Sequence, residues 1–370
     1  MLNWLKNACL QLISLLNEYI FVSTSRSKEV KMDLLRQLMD TFGPSGAEQE
    51  VRSLIQKTIK PYVSEIKIDK FGNLIAHKKG QGAKVMLIAH MDEVGLMIHH
   101  IDSAGLIKFS PIGGVEPLSL VGQRVKIYTN KKPIEGVITL SEISSGFEDP
   151  ENSPKLEDLF VDTGLSRGEL IKLGIEIGSY LHLHSDNDTL GSNEIICGKA
   201  LDDRIGCFIL MELAKKLKKT KGDLYFVFSV QEELGLYGAK TAVYNIDPAW
   251  AVAVDVTAAD DRSAHPTLTL GAGPTITIKD ADMLGNKCIN DWLMGCAKKK
   301  KIPYQLEVSD LGTTDALRIS LSKGGIPTSV IGVAVRNLHT SIGIANRKDI
   351  EQTITILETL LKNPPQACII

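Results

Sequence analysis

Short apolar runs separated by amphipathic stretches constrain this chain more than any other feature. Lys84–Ala89 is apolar throughout after its first residue, the pattern of a strand covered on both faces, and Leu224–Val230 reads the same way. Trp250–Val254 and Thr328–Val335 are further strand candidates. Between and around them the period changes to that of a helix. Ile205, Ile209, Leu213 and Leu217 share one side of a helix expected over Asp203–Leu217. Helices are also expected over Leu236–Val243, Ile289–Lys300, Thr314–Ser322 and Asp349–Lys362. Upstream, Met32–Phe42 reads as a helix stopped by Gly43-Pro44, and Ser45-Gly46-Ala47-Glu48 reads as a capping box opening a second one. Ile66–Ile68 and Leu74–His77 form a hairpin pattern around Phe71-Gly72-Asn73. This rhythm predicts an α/β fold, a mostly parallel sheet with helices on both faces.

From about residue 101 to 190 the rhythm breaks. Strand candidates are short, turns such as Ser103-Ala104-Gly105 and Gly113-Gly114 recur, and helical periodicity nearly vanishes outside Arg167–Leu173. A small β-barrel inserted into the α/β domain follows. The expected organisation is an extension over 1–31, a first catalytic part over 32–100, the insert over 101–190, and a second catalytic part over 191–370.

Composition narrows the class. Apolar residues make up 44% and charged residues 23%, and the net charge is -2, so no global positive field exists to hold a nucleic-acid backbone. Leu2–Ile20 is apolar on one side but interrupted by Asn3, Lys6, Asn7, Gln11, Asn17 and Glu18. That falls short of the about 20 apolar residues a bilayer span takes. The extension is read as dispensable, with Met32 a candidate natural start. No partnership with a membrane is expected. Six cysteines are scattered without C-x-x-C spacing, which reads as a cytoplasmic, reduced protein rather than a disulfide framework.

In open α/β sheets ligands bind beyond the carboxyl ends of the strands. His90 and Asp92 follow the first run, Glu232 and Glu233 the second, Asp255 the third, and His339 comes within four residues of the fourth. Asp202 and Asp203 open the helix after the insert. Singly, each carboxylate reads as a loop residue or an N-cap. Together, several carboxylates and two histidines on one sheet edge would repel unless a cation compensated them. His90 and Asp92, two apart, suit a ligand and the carboxylate that orients its ring. Adjacent Glu232 and Glu233 point to different places, which suits one proton acceptor and one ligand.

Ile88-Ala89-His90-Met91-Asp92-Glu93-Val94-Gly95, Ala200-Leu201-Asp202-Asp203-Arg204, Gln231-Glu232-Glu233-Leu234-Gly235, Asp255-Val256-Thr257 and His339-Thr340-Ser341 resemble the tetrahedral aminopeptidase family. The likeness runs from about Met32 to Leu361. The resemblance implies a metal-dependent aminopeptidase acting on small peptides with two divalent ions per subunit. It implies His90 and Asp255 on one metal, Glu233 and His339 on the other, and Asp202 bridging. Asp92 would orient His90, and Glu232 would be the general base. It implies a dimerising β insert, dimers that build a hollow dodecamer, and a cis Asp202-Asp203 peptide. Nitrogen and oxygen ligands without thiolate suit zinc or cobalt, and also manganese. Gly343 stands where the family usually has Glu, and Gly312-Thr313-Thr314-Asp315-Ala316 carries an extra Thr. The alternative function is a dinuclear deacylase of small N-acyl amino acids. His182 and His184 read as residues of a barrel strand, and Cys207 as a buried small hydrophobe.

Overall fold

The computed structural model describes residues 33–129, 132–140 and 154–368. The extension over 1–31 and Met32 lie outside them. In chain order, β1 (Glu65–Ile68), β2 (Leu74–Lys78) and β3 (Lys84–His90) precede the insert. Within it lie β4 (Gly95–Ile101), β5 (Ile107–Ile112), β6 (Arg124–Ile127), β7 (Ile134–Thr139), β8 (Phe160–Asp162) and β9 (Tyr180–Leu183). After it come β10 (Asp188–Thr189), β11 (Ile195–Gly198), β12 (Asp223–Ser229), β13 (Trp250–Ala258), β14 (Thr275–Lys279), β15 (Gln305–Val308), β16 (Thr328–Arg336) and β17 (Gly343–Asn346). The helices are α1 (33–40), α2 (Gln49–Ile59), the short α3 (Pro117–Leu120) and α4 (Arg167–Lys172), then α5 (Leu201–Lys216), α6 (Tyr237–Ile246), α7 (Lys287–Lys300), α8 (Asp315–Ser320) and α9 (Arg347–Leu361).

The main sheet has eleven strands with the order β1-β2-β12-β3-β13-β16-β17-β11-β10, and β14 and β15 branch from β16. Its centre, β12-β3-β13-β16, is parallel. Both flanks are antiparallel, so the sheet is mixed rather than mostly parallel. For three of these pairs the reason is connection length. The β1–β2, β10–β11 and β16–β17 links are short loops, which can only reverse the chain, whereas parallel neighbours need a crossover.

The four central strands carry the apolar runs, and alternation along β3 shows why they are apolar on both faces. Val85, Leu87 and Ala89 join a cluster with Leu35, Leu38, Val51, Ile55, Ile209, Leu213 and Leu357. Met86 and Ile88 point the other way, into a cluster with Ala239, Val243, Ala316 and Ile319 of α6 and α8. Each fully buried aliphatic side chain contributes about 1.5–3 kcal/mol by leaving water, so both clusters reward this arrangement.

The insert closes into a six-stranded barrel, β4-β5-β8-β7-β6-β9, around Leu96, Ile98, Ile107, Phe109, Val125, Ile138, Val161 and Leu181. Its first strand starts five residues after His90, so the barrel sits at the edge where the central strands end. Tyr180 donates its hydroxyl hydrogen to the Ser45 carbonyl at 3.2 Å, and Ser341 Oγ donates to Gln123 Oε1 at 2.8 Å. His182, on β9, is buried in the seam between Phe42 and Tyr128, and neither ring nitrogen has a hydrogen-bond partner. Burial, with Lys199 nearby, pushes its pKa down to about 3, so it stays neutral.

Three local expectations are corrected. Ser45 does not cap α2: the N-cap is Glu48, whose Oε1 accepts from Gly46 N at 2.7 Å, and the Ser45 hydroxyl is committed elsewhere. Asp255 lies inside β13 rather than beyond its end. Cys288 and Cys368 are joined as a disulfide although 80 positions apart, a pairing set by the packing of the C-terminal segment on α7 and not by any local spacing. No helix among the described residues is long and apolar enough to cross a membrane.

Candidate metal centre

The parallel centre of the sheet delivers its polar residues to one point. His90 closes β3, and its ring Nε2 lies 2.9 Å from Asp202 Oδ1. The same nitrogen is 3.8 Å from Asp255 Oδ1 and 3.9 Å from Glu232 Oε2. On the far side of Asp202, Oδ2 lies 3.2 Å from His339 Nε2, which is 3.5 Å from Glu233 Oε2. Asp202 therefore faces one histidine with each oxygen. All six residues that the sequence singled out as ligands or base meet here. Ligand atoms of His90, Glu232 and Asp255 lie within 4.8 Å of one another, as do those of His90, Asp202 and Glu233.

Backbone geometry aims these side chains. Asp202 and Asp203 open α5 with non-helical dihedrals and a cis peptide between them, after Ala200 in the left-handed region. Gln231 and His339 also have positive φ, at 54° and 57°. Left-handed residues other than glycine are costly and persist where surrounding contacts hold them, as they do at functional sites.

Asp92 does more than face one ring. His90 Nδ1 lies 3.0 Å from the Asp92 carbonyl and 3.6 Å from its carboxylate. The carboxylate accepts from Ser45 Oγ at 2.6 Å and from the backbone N–H groups of Glu232 and Glu233, both at 3.1 Å. It thus ties the β3 end to the turn that carries both glutamates. Burial opposes its charge, but His90, Ser45 and the Glu232 amide hold its carboxyl below the usual range.

Several residues without an assigned role complete the site. Asp203 accepts from His90 N at 3.2 Å and from Gly206 N at 2.8 Å, fixing the β3 end against α5. Glu93, fully buried, takes Lys199 Nζ at 2.7 Å and Arg204 Nη2 at 3.3 Å. Arg204 also donates to the carbonyls of Met91, Thr41 and Leu38. This network locks the segments bearing His90 and Asp202 together. Asp315, buried at the start of α8, pairs with Ser229 at the end of β12, and Thr314 caps that helix. A signal was available for Lys199, a lone charge between Gly198 and Ala200-Leu201. Glycines of the barrel close the site. A Cβ on Gly113 would lie 3.2 Å from Glu233 Cβ, and one on Gly114 would lie 3.2 Å from His339 Nδ1. At Gly343 a Cβ would sit 3.1 Å from Leu201 Cδ1, against the segment leading to Asp202.

The electrostatics ask for cations. Burial, and then Asp202, raises the Glu233 pKa to about 8; burial with Asp202 raises that of Asp255 to about 7. Burial, and then Asp315, Asp255 and Glu233, pushes Glu232 well up. Burial opposes the charge on His339, yet Asp202 and Glu233 lift it to about 9. Glu233 Oε1 is buried without a hydrogen-bond partner. Two imidazoles cannot neutralise this many buried carboxylates, whereas divalent ions among the same oxygen and nitrogen donors would. The donor set fits such ions, with no thiolate within it: buried Cys207 donates its S–H to the His90 carbonyl, and burial raises its pKa.

The sequence matches the M42 glutamyl aminopeptidase family over residues 72–356. The lysyl aminopeptidase of Pyrococcus furiosus is 35% identical over 340 residues, covering 90% of this chain and 97% of its own length. The TET aminopeptidase of a marine-sediment archaeon, Thaumarchaeota archaeon SCGC AB-539-E09, superposes with a TM-score of 0.86 at 31% identity, covering 91% of this chain and 97% of that one. The TET1 peptidase of Pyrococcus horikoshii, which can assemble into a tetrahedron or a large octahedral shell, superposes with a TM-score of 0.81 at 28% identity and covers 90% and 99%.

Proposed function

The chain belongs to the M42 glutamyl aminopeptidase family, and from that premise we propose how its residues divide the work of a metal-dependent aminopeptidase that hydrolyses residues from peptide N-termini. The observation that carries the division is the placement of Asp202, with one oxygen toward His90 and the other toward His339. His90 and Asp255 would hold one divalent ion, Glu233 and His339 a second, and Asp202 both; zinc or cobalt suits the donors best, and manganese is compatible. When bound, such ions supply Lewis acidity to the scissile carbonyl and acidify the attacking water.

Glu232 is the general base in this reading. Its carboxylate shares the buried cluster, 3.9 Å from His90 Nε2, and its backbone N–H is anchored on Asp92. In this division it is not one of the five metal ligands, so its carboxylate remains available to accept a proton. It takes the proton of the attacking water and returns it to the departing amine. Asp92 is a positioning residue, since it touches His90 and the glutamate turn. The Gly113-Gly114 corner of the barrel walls the site beside Glu233 and His339.

The barrel is the proposed dimer contact. Leu118, Ile171 and Ile177 on it are 65%, 58% and 70% exposed, apolar area that a second copy would cover. Dimers would then build a hollow shell, a dodecamer in the simplest case, as the TET1 relative's assemblies suggest.

The test uses free-amine aminoacyl p-nitroanilides, the same compounds N-acetylated, and N-acetyl amino acids. The purified protein should cleave only the first set, lose that activity to a chelator, and regain it with zinc, cobalt or manganese. Cleavage of the N-acetyl amino acids alone would replace the aminopeptidase reading with a deacylase.

A further inference from the structure

On the sheet face opposite α5 and α9, helices α6 and α8 leave a groove of about 880 Å³ between them. Its walls are Tyr237 and Tyr244 from α6, Leu321 just past α8, and Phe71 from the β1–β2 turn. These side chains are 46%, 68%, 70% and 39% exposed, a cluster of apolar surface. Two cations face the same space: Lys240, one turn along α6 from both tyrosines, and Arg318 of α8.

Among the described residues neither cation is neutralised, and the Lys240 ammonium makes no hydrogen bond or ion pair. Arg318 reaches only the Gly235 carbonyl, at 3.4 Å, and its buried Nε has no partner. Among the described residues no carboxylate lines the groove. Asp69, beside Thr241, spends Oδ1 on the amides of Phe71, Gly72 and Asn73 and Oδ2 on Asn73 Nδ2 and Thr241. Asp247 is 3.6 Å from Lys323, whose ammonium lies over the Tyr244 ring. None of the metal-centre ligands lines the groove.

We propose that this groove is a second binding site, for small carboxylates with an apolar or aromatic body. Guanidinium offers a planar fork for one carboxylate, with the ammonium as a second point charge. Aromatic walls hold a ring or aliphatic chain by stacking and burial. The volume falls within the range of small-ligand pockets, about 300–1,000 Å³. A free apolar amino acid and a shortened peptide both carry this chemistry.

The probe is 3-phenylpropionate, compared with 3-phenylpropanol, titrated calorimetrically into the metal-loaded protein. The acid should bind, and the uncharged alcohol should bind about tenfold more weakly or not at all, the effect of losing a charge-assisted pair. Lys240→Gln, at an exposed position where folding is not at risk, should weaken the acid several-fold, and adding Arg318→Gln should bring the loss to about tenfold or more. Glu232→Gln should leave the affinity unchanged. Equal binding of acid and alcohol, or no binding of either, overturns the proposal. Undiminished binding in the double variant also overturns it and assigns the acid to the metal centre. Dissociation of the assembly by Leu321→Glu, read by sedimentation velocity, overturns it in favour of a second copy seated in the groove.

Discussion

Asp92→Asn keeps the shape of the side chain and removes one charge and one acceptor. In the native site Oδ1 accepts from the Glu232 amide, and Oδ2 accepts from both Ser45 Oγ and the Glu233 amide. An asparagine has a single oxygen. The Ser45 hydroxyl can rotate to become an acceptor, so the new NH₂ group settles best in the Oδ2 position, where it meets the Glu233 N–H donor to donor. One hydrogen bond to a charged group is lost, about 1.5–3 kcal/mol, and the turn carrying both glutamates is released from one anchor. At about 1.4 kcal/mol per factor of ten, kcat/KM should fall roughly ten- to a hundredfold. Metal affinity, measured by competition with a chromogenic chelator, should fall by a similar factor, because loss of a residue supporting ligands typically costs about 10–100-fold. A kcat/KM within about a factor of two of the parent, at saturating metal, would refute the anchoring role of the carboxylate.

Glu232→Gln should retain the melting temperature and the metal content while turnover drops about 10²–10⁴-fold, the usual worth of a positioned base; undiminished turnover in steady-state assays would transfer that role elsewhere. Lys199→Met leaves Glu93 buried with Arg204 as its one remaining full cation, and should cost about 3 kcal/mol in urea unfolding. A loss below roughly 0.5 kcal/mol would show that the network carries no stability. Glu93 also sets a pH dependence. Burial opposes its charge, but Lys199 and Arg204 lower its folded pKa below the ordinary glutamate value of 4.5. Its stabilisation is therefore complete above about pH 4.5 and is lost as the pH falls through the lower folded value. Glu93→Gln should be the less stable protein at neutral pH and should lose less on acidification; parallel acid limbs for the two proteins would contradict this.

The sequence spoke most clearly where one residue type repeats a local rule. The runs at Lys84–Ala89 and Leu224–Val230 had to be covered on both faces, and the clusters around Val85 and Met86 show the two coverings. His90, Glu232, Glu233 and His339 were legible because strand ends converge on one edge, and Asp202 because it opens the helix after the insert. Ser45 shows the limit: its spacing to Glu48 matched a local cap, yet its hydroxyl serves Asp92, 47 positions away. The antiparallel flanks depended on which neighbour a short loop could reach, and the Cys288–Cys368 pair on how the tail packs against α7. Arg204 was illegible for the same reason. Four carbonyls and Glu93, all distant in the chain, take it fully inside.

The central claim is that five side chains from separate segments surround two neighbouring cations. Crystals of the zinc-loaded protein, measured on both sides of the zinc absorption edge, address it directly. The expected map has two anomalous peaks per chain, one beside His90 and Asp255, one beside Glu233 and His339, with Asp202 touching both. A single peak, or peaks away from Asp202, would contradict it.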